Sequence, residues 1–307
     1  MWKSAIFLIF TLLIVPFISF KFDNSLTELQ LQTLEILLWT YGIAAALTFI
    51  ISTITDNYSQ VDKFWSIIPV PYVWIVAHFA SYEPRIVLMA VLVTIWVIRL
   101  TYNFGRRGGY SWKFWTGEED YRWAILRAKP EFQAKWKWIT FNLLFISAYQ
   151  MGLILLFTLQ ALKAMDSTIP FGVFDYILAA LLVGFVIMEF IADGQQYKYQ
   201  EEKYRQRNTG KLDKFHEVGF THTGLWAFMA HPNYAAEQSV WIVFYFFSVV
   251  ATGNWINWSI TGCLLLVILF ERSAVFSEEE TTKKYPLYKR YLKEVGRFVP
   301  YKGKFKL

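Results

Sequence analysis

The 307-residue sequence has few of the residues that build disulfides or metal sites, with one cysteine and four histidines. A single cysteine, Cys263, excludes an intrachain disulfide. No histidine pair has the H-E-x-x-H spacing and none has a cysteine companion, so we expect no metal site. The four histidines are His78, His216, His222 and His231.

Glycine-rich nucleotide-binding motifs are also missing. Neither G-x-G-x-x-G nor G-x-x-x-x-G-K-[ST] occurs, and the GRRGG at 105–109 has the wrong spacing, which excludes a Rossmann crevice and a P-loop. The net charge of +6 comes without a recognisable nucleic-acid-binding motif. We therefore expect no nucleic-acid partner.

Charge is scarce, since charged residues make up 18% of the chain and hydrophobic residues 55%. One soluble core of this size does not need so much apolar surface, so the composition is typical of a membrane protein. A helix needs about 20 mostly apolar residues to cross a bilayer. Eight windows qualify: 4–20, 29–53, 64–82, 86–101, 138–162, 174–192, 234–253 and 255–270.

These windows predict an all-α fold, a polytopic transmembrane helical bundle of about seven to eight spans, in a single membrane domain over residues 1–307. The first window could instead be a secretory signal. No small-residue cleavage site follows it, because Ile18, Ser19 and Phe20 are too bulky as a group, so we favour a retained span. The membrane is predicted to be the bacterial inner membrane or the endoplasmic reticulum.

Positive charge is concentrated in three stretches. Of the 30 Lys and Arg residues, 25 lie in residues 99–137, 193–223 and 271–307. The positive-inside rule predicts that all three stretches face the cytoplasm.

Polar side chains at membrane depth are expensive and often functional. Glu189 and Asp193 are four residues apart at the end of the sixth window, and Asn233 and Glu237 have the same spacing at the start of the seventh. The alternatives are that Asp193 is simply the first solvated residue, and that Asn233 and Glu237 satisfy one another at a helix interface.

The C-terminal stretch 283–300 reads as an amphipathic helix, which predicts an interfacial helix on anionic lipid in preference to a catalytic element. The acidic run 278–280 before it is typical of a solvated face. Carboxylates and amides suit ribose hydroxyls, and Lys and Arg suit phosphates, so these clusters together favour a large anionic, sugar-containing cofactor.

Several motifs carry a resemblance to a known family. They are TGLWAFMAHPNYAAE, the aspartate of IADGQQ, QVDKFWSIIP, WVIRLTYNFGRRGGYSW and KKYPLYKRYLKEVGRFVP. Over roughly residues 55–301 the chain resembles the integral membrane proteins related to steroid 5-alpha-reductase, in the branch long labelled a domain of unknown function. The resemblance implies about seven spans, NADPH as cofactor, and reduction of a carbon–carbon double bond conjugated to a carbonyl in a lipid or sterol-like substrate.

The resemblance also implies site residues. Asn233 and Glu237 would hold the nicotinamide end of NADPH and Asp193 would lie near the adenosine half, while Tyr288 and Tyr291 match aromatic positions of the C-terminal signature. The full predicted cofactor-binding set, within about residues 174–301, is Asp193, Asn233, Tyr234, Glu237, Arg272, Glu278, Tyr288 and Tyr291.

The sequence departs from this family at the proton donor. Trp96 stands where steroid reductases have a tyrosine, and an indole cannot deliver a proton to a carbonyl. Tyr102 is the first catalytic candidate to replace it, and a protonated Asp62 is the second, although a solvated, helix-capping Asp62 is the alternative. Ala230 and Ala236 also differ from common family residues. We expect a deep apolar cavity that Asn233, Glu237 and one of these donors share.

Two other functions stay open. Membrane methyltransferases that act on isoprenylcysteine or phospholipids resemble the last eighty residues and bind S-adenosylmethionine with an H-P-x-Y stretch, a later E-E pair and a Y-x-x-Y helix. A non-catalytic lipid-binding or transport protein is the third possibility, because fold resemblance does not establish chemistry.

Overall fold

The computed structural model describes residues 2–21, 23 and 25–307, without the side chains of residues 2–5, 7–9, 12 and 13. The regular elements of this part of the chain are helices. They are α1 (Trp2–Lys21), α2 (Glu28–Thr55), α3 (Gln60–Trp65), α4 (Pro69–Phe79), α5 (Pro84–Arg106), α6 (Tyr121–Arg127), α7 (Lys135–Phe141), α8 (Gln150–Thr158), α9 (Gln160–Ala164), α10 (Val173–Asn208), α11 (Lys214–Glu217), α12 (Pro232–Thr252), α13 (Ile260–Lys284) and α14 (Tyr288–Glu294). A π-helical stretch, Asn142–Tyr149, joins α7 to α8, and 3₁₀ turns lie at Pro130–Phe132 and Gly224–Ala227.

Six segments among the described residues are long and apolar enough to cross a membrane. They are Glu28–Thr55, Pro84–Arg106, Lys135–Ala164, Val173–Asn208, Pro232–Thr252 and Ile260–Lys284. Each contains or largely overlaps one predicted window, and α1 covers the first window. The prediction of an all-α, polytopic membrane protein is confirmed.

The third window, 64–82, is not one long helix. It is divided between α3 and the 11-residue α4. Pro69 is the first residue of α4, where the missing N–H costs nothing because the first N–H groups of a helix have no acceptor within the helix. The connection between the two pieces lies against α5, since the Thr101 hydroxyl donates to the Ser66 carbonyl at 2.9 Å. The prediction of a continuous span is wrong here, and a broken helix takes its place.

By its internal contacts the chain divides into two compact units. Unit 1 comprises Met1–Ala180 and Val243–Leu266, and unit 2 comprises Leu181–Ile242 and Val267–Leu307. The prediction of a single domain over 1–307 stays a prediction, and each unit is described by itself.

Unit 1 contains a fully buried ion pair between the start of α5 and the start of α10. The Nε of Arg85 donates to the Asp175 carboxylate at 2.6 Å, and both side chains have no exposed surface. The same guanidinium donates to the Ser167 hydroxyl and to the carbonyls of Ile169 and Pro170. All polar groups of this pair therefore find partners, and the pair fixes the connection that precedes α10.

A second feature of unit 1 is a close approach of two helices. A Cβ placed on Gly262, in α13, would lie 2.3 Å from the carbonyl oxygen of Leu156 in α8. Small residues let helix backbones approach in this way inside membranes, where packing and not burial from water drives association.

Candidate functional site

The predicted cofactor-binding residues lie in unit 2, where the chain turns back after α10. The Nζ of Lys203, late in α10, donates to the Gly219 carbonyl at 2.9 Å, and farther back the indole of Trp226 donates to the Ala192 carbonyl at 3.0 Å. The returning chain thus follows α10 towards its beginning. Proline at the first position of α12 then starts the next helix antiparallel to α10.

The returning chain places Asn233 beside Asp193. The Asn233 amide donates to the Asp193 carboxylate at 3.1 Å, and Asp193 is buried while Asn233 is half-buried. Glu237 lies one turn farther along α12, is buried, and accepts a hydrogen bond from the Trp241 indole at 3.0 Å. Asp193 is therefore not a solvated residue beyond the span, and three of the predicted residues do gather at the start of α12.

Glu189 adds a further carboxylate to this region. It is buried one turn before Asp193 in α10, as Glu237 is buried one turn after Asn233 in α12. Carboxylates in such a position are costly and point to a functional site.

Glu278 belongs to a second cluster, which contains two residues outside the predicted cofactor-binding set. The Nε2 of His231 lies 3.0 Å from the Glu278 carboxylate, and Arg297 donates to the same carboxylate at 2.9 and 2.7 Å. The ring of Tyr234 stacks on His231 at 5.2 Å. Its hydrogen bonds to the Glu278 carboxylate raise the pKa of Arg297 above its ordinary value. The interpretation of Glu278 as part of a solvated face is wrong, because its side of α13 faces His231.

The sequence does not predict that Arg297 and His231 contact Glu278, for two different reasons. Arg297 follows α14 in an irregular stretch where no periodicity marks a buried contact. The sequence around His231 offers no nearby partner, because its partner is a carboxylate 47 residues away. Among the described residues no group of three or more His, Cys, Asp or Glu side chains forms a metal-binding cluster.

The two predicted tyrosines of α14 lie in a hydrophobic cluster. The buried Tyr291 hydroxyl donates to the carbonyls of Trp226 and Met229 at 2.5 and 3.0 Å. Tyr288 packs edge-on against Phe220, with ring centres 4.8 Å apart. The prediction of an interfacial helix on lipid is wrong for this side of α14, because its apolar residues pack on protein. A role of these tyrosines in cofactor binding stays a prediction.

Replacing Tyr291 by Phe tests that packing role. We expect Tyr291→Phe to lower the free energy of unfolding by about 1–2 kcal/mol, because two buried carbonyls lose their donor. Tyr285→Phe removes a hydroxyl for which no hydrogen bond is described, and serves as the control. Unfolding of both variants in mild detergent, followed by circular dichroism, measures the difference. Equal stability of the two variants would contradict the assignment.

Arg272 is exposed on α13. It faces a surface groove of about 500 Å³. The groove is lined by Gln238, Val267, Ile268, Glu271, Arg272, Val275 and Phe298. A cation at an apolar groove suits an amphiphilic or phosphate-bearing ligand, and the predicted deep cavity stays a prediction.

The two catalytic candidates lie in unit 1. Tyr102 is exposed, with the Arg106 guanidinium 5.5 Å from its ring centre. Asp62 is half-buried and accepts a hydrogen bond from the Trp123 indole at 3.4 Å. Burial, and after it the negative charge of Asp120, raises the pKa of Asp62 to about 6. A carboxyl with a raised pKa suits a proton donor, and a catalytic role of Asp62 stays a prediction.

This shift makes stability depend on pH. The folded-state pKa of about 6 exceeds the ordinary 3.8, so the stability that the protonated carboxyl contributes is lost as pH rises from about 4 through 6. We expect Asp62→Asn to be more stable than the wild-type protein at pH 8 and equally stable at pH 4, in melting curves recorded across that range. Glu118→Gln, at an exposed carboxylate nearby, should show no such trend, and a parallel trend in both variants would contradict the shift.

Comparison with known proteins adds a family. Residues 48–295 match the model of the family described as "Protein of unknown function (DUF1295)". The chain is 35% identical over 270 residues to the uncharacterized protein C594.04c of Schizosaccharomyces pombe, and the match covers 81% of this chain and 74% of that protein. No solved structure matches the chain significantly.

Proposed function

Since the chain belongs to the DUF1295 family, whose description leaves the chemistry open, we propose from its site that it is a membrane-embedded NADPH-dependent reductase. The substrate would be a lipid or sterol-like molecule with a carbon–carbon double bond conjugated to a carbonyl. The observation that carries this proposal is the buried Asp193 carboxylate, which accepts a hydrogen bond from Asn233 at the start of α12. Glu237, also buried, lies one turn after Asn233.

The residues of unit 2 fit a dinucleotide in their chemistry. Asp193 and Glu237 offer carboxylate acceptors for ribose hydroxyls and amide N–H groups, and the half-buried Asn233 offers both a donor and an acceptor. Arg272 offers a cation for phosphate, and the described structure gives its guanidinium no partner. NADPH, when bound, supplies a hydride.

The chain's own residues would bind and orient the cofactor and supply a proton. Tyr102 and Asp62, both in unit 1, are the candidate proton donors to the substrate oxygen, and Asp62 keeps its proton up to about pH 6. The cofactor would enter from the cytoplasm and the substrate from the bilayer of the bacterial inner membrane or the endoplasmic reticulum. This orientation rests on the Lys and Arg distribution.

Ligand-dependent melting tests the proposal. The purified protein in detergent is heated with NADPH, NADH or S-adenosylmethionine. A ligand at about 100 times its dissociation constant stabilises the folded state by about 2.7 kcal/mol, which a melting curve resolves. We expect stabilisation by NADPH. Stabilisation by S-adenosylmethionine alone would favour a membrane methyltransferase, and no effect of any ligand would favour a non-catalytic lipid-binding protein.

Glu237→Gln tests the site itself. The substitution keeps the shape and removes the charge, so we expect NADPH affinity to fall roughly 10- to 100-fold, as the loss of one charge-assisted hydrogen bond predicts. Glu217→Gln, at an exposed carboxylate of the same unit, is the control. Affinity is measured by titrating NADPH against the melting temperature. A Glu237→Gln protein that unfolds more easily but binds NADPH normally would show that Glu237 is only structural.

A further inference from the structure

The connection that follows α5 exposes three large aromatic side chains. We call residues 110–117 the aromatic loop. Trp112 is fully exposed, and Phe114 and Trp115 have exposed fractions of 44% and 53%. Large apolar side chains that are exposed together mark an interaction site, whereas apolar side chains exposed singly are common and need no explanation.

A buried lysine fixes the backbone of this loop. Lys63, in α3, has no exposed surface, and its Nζ donates to the carbonyls of Phe114 and Thr116 at 2.7 and 2.6 Å. Burying an ammonium group is costly unless it is hydrogen-bonded. The carbonyls therefore turn towards Lys63.

Two side-chain amides donate to the neighbouring carbonyls, those of Trp115 and Gly117. Gln60 donates to the Trp115 carbonyl at 2.9 Å, and Asn57 donates to the Gly117 carbonyl at 3.0 Å. Gly117 has a φ of +128°, and a Cβ there would lie 2.4 Å from the Gly109 carbonyl oxygen. Four successive carbonyls, 114–117, thus point inward, and the aromatic rings are displayed by a fixed backbone.

The position of the loop relative to the candidate spans indicates the environment of these rings. It begins four residues after α5, and Asn57, which holds it, lies two residues after α2. Both α2 and α5 are candidate spans, so the loop lies where spans leave the membrane. Tryptophan is enriched at that boundary because its ring is apolar and its N–H is polar. Arg107 and Lys113 supply cations suited to lipid phosphates.

From this geometry we infer that the aromatic loop inserts Trp112, Phe114 and Trp115 into the headgroup region of the surrounding bilayer. Phospholipid covers the rings, and Lys63 keeps the loop in the shape that presents them. This interaction is independent of the proposed reductase activity.

Site-specific fluorescence tests the inference. In a Cys263→Ser background, cysteine is introduced by Trp112→Cys and, as control, by Lys211→Cys, which lies in an exposed turn. Each protein is labelled with a polarity-sensitive dye and reconstituted in phosphatidylcholine vesicles. Quenching is measured with lipids that carry a nitroxide near the headgroup and with aqueous iodide. An unchanged melting temperature is expected for Trp112→Cys, because no contact of the Trp112 side chain is described.

We expect the lipid nitroxide to quench the label at 112 several-fold more than the label at 211, and iodide to do the reverse. Equal quenching at the two positions would place the loop in water and overturn the inference. Protection from iodide without lipid quenching would mean that a second copy of the chain covers the rings, and would also overturn it. A second variant controls for the dye, which is itself apolar and could enter the bilayer without the loop. Lys63→Met releases the carbonyls of 114 and 116, so it should weaken lipid quenching of the label at 112. Undiminished quenching would show that the dye alone inserts, and would overturn the inference.

Discussion

Asp175→Asn is expected to lower the free energy of unfolding by about 3–5 kcal/mol, because it leaves the Arg85 guanidinium buried without its counter-charge. Arg85 has no exposed surface, so water cannot replace the lost carboxylate. Its bonds to the Ile169 and Pro170 carbonyls remain, but these groups are uncharged. The connection before α10 should loosen first.

A titration with denaturing detergent measures the free energy of unfolding. An exposed ion pair of the same chemistry serves as the control. Arg290 and Glu294 form an ion pair with exposed fractions of 56% and 37%, so Glu294→Gln should cost less than about 1 kcal/mol. Replacing both buried partners, as Arg85→Met with Asp175→Leu, should be milder than Asp175→Asn alone. A loss for Asp175→Asn no larger than for Glu294→Gln would show that water reaches the pair.

Gly262→Ala is expected to destabilise unit 1 by about 1–3 kcal/mol, because added volume in a packed interface forces the helices apart. The new Cβ would meet the carbonyl group of Leu156, which is backbone and cannot rotate away as a side chain can. The effect should appear in unfolding titrations and as a lower melting temperature.

The same substitution at open positions gives the control. A Cβ on Gly42 in α2 or Gly184 in α10 would meet nothing within 4 Å. Each of these Gly→Ala variants should be neutral or gain up to about 1 kcal/mol, since alanine favours the helix. A loss at all three positions would mean that glycine matters to these helices for flexibility and not for close approach.

Much of the fold follows from local pattern. Long apolar runs predict spans because backbone groups in lipid must be bonded within each helix, and this holds for α2, α5, α10, α12 and α13. The grouping of Asp193 with Asn233 was also predictable, since both are polar residues at the same end of adjacent apolar runs.

What could not be predicted depends on partners far away in sequence. Window 64–82 is apolar enough to span, and only its prolines hint at the break between α3 and α4. Glu278 looks solvated in a run of three glutamates until His231 and Arg297 are placed beside it. The apolar side of α14 fits lipid and protein equally well by periodicity, and the cluster around Phe220 decides between them.

The bonds between the loop before α12 and the residues after α14 set an order of events during synthesis. The N–H groups of Ala230 and His231 donate to the carbonyls of Gly296 and Arg297, and the N–H of Phe305 donates to Ala227. A ribosome therefore releases Asn233 and Glu237 well before it makes the residues that hold their loop. The loop before α12 gains these bonds only after α13 and α14 have been translated, so a nascent chain halted earlier would lack them.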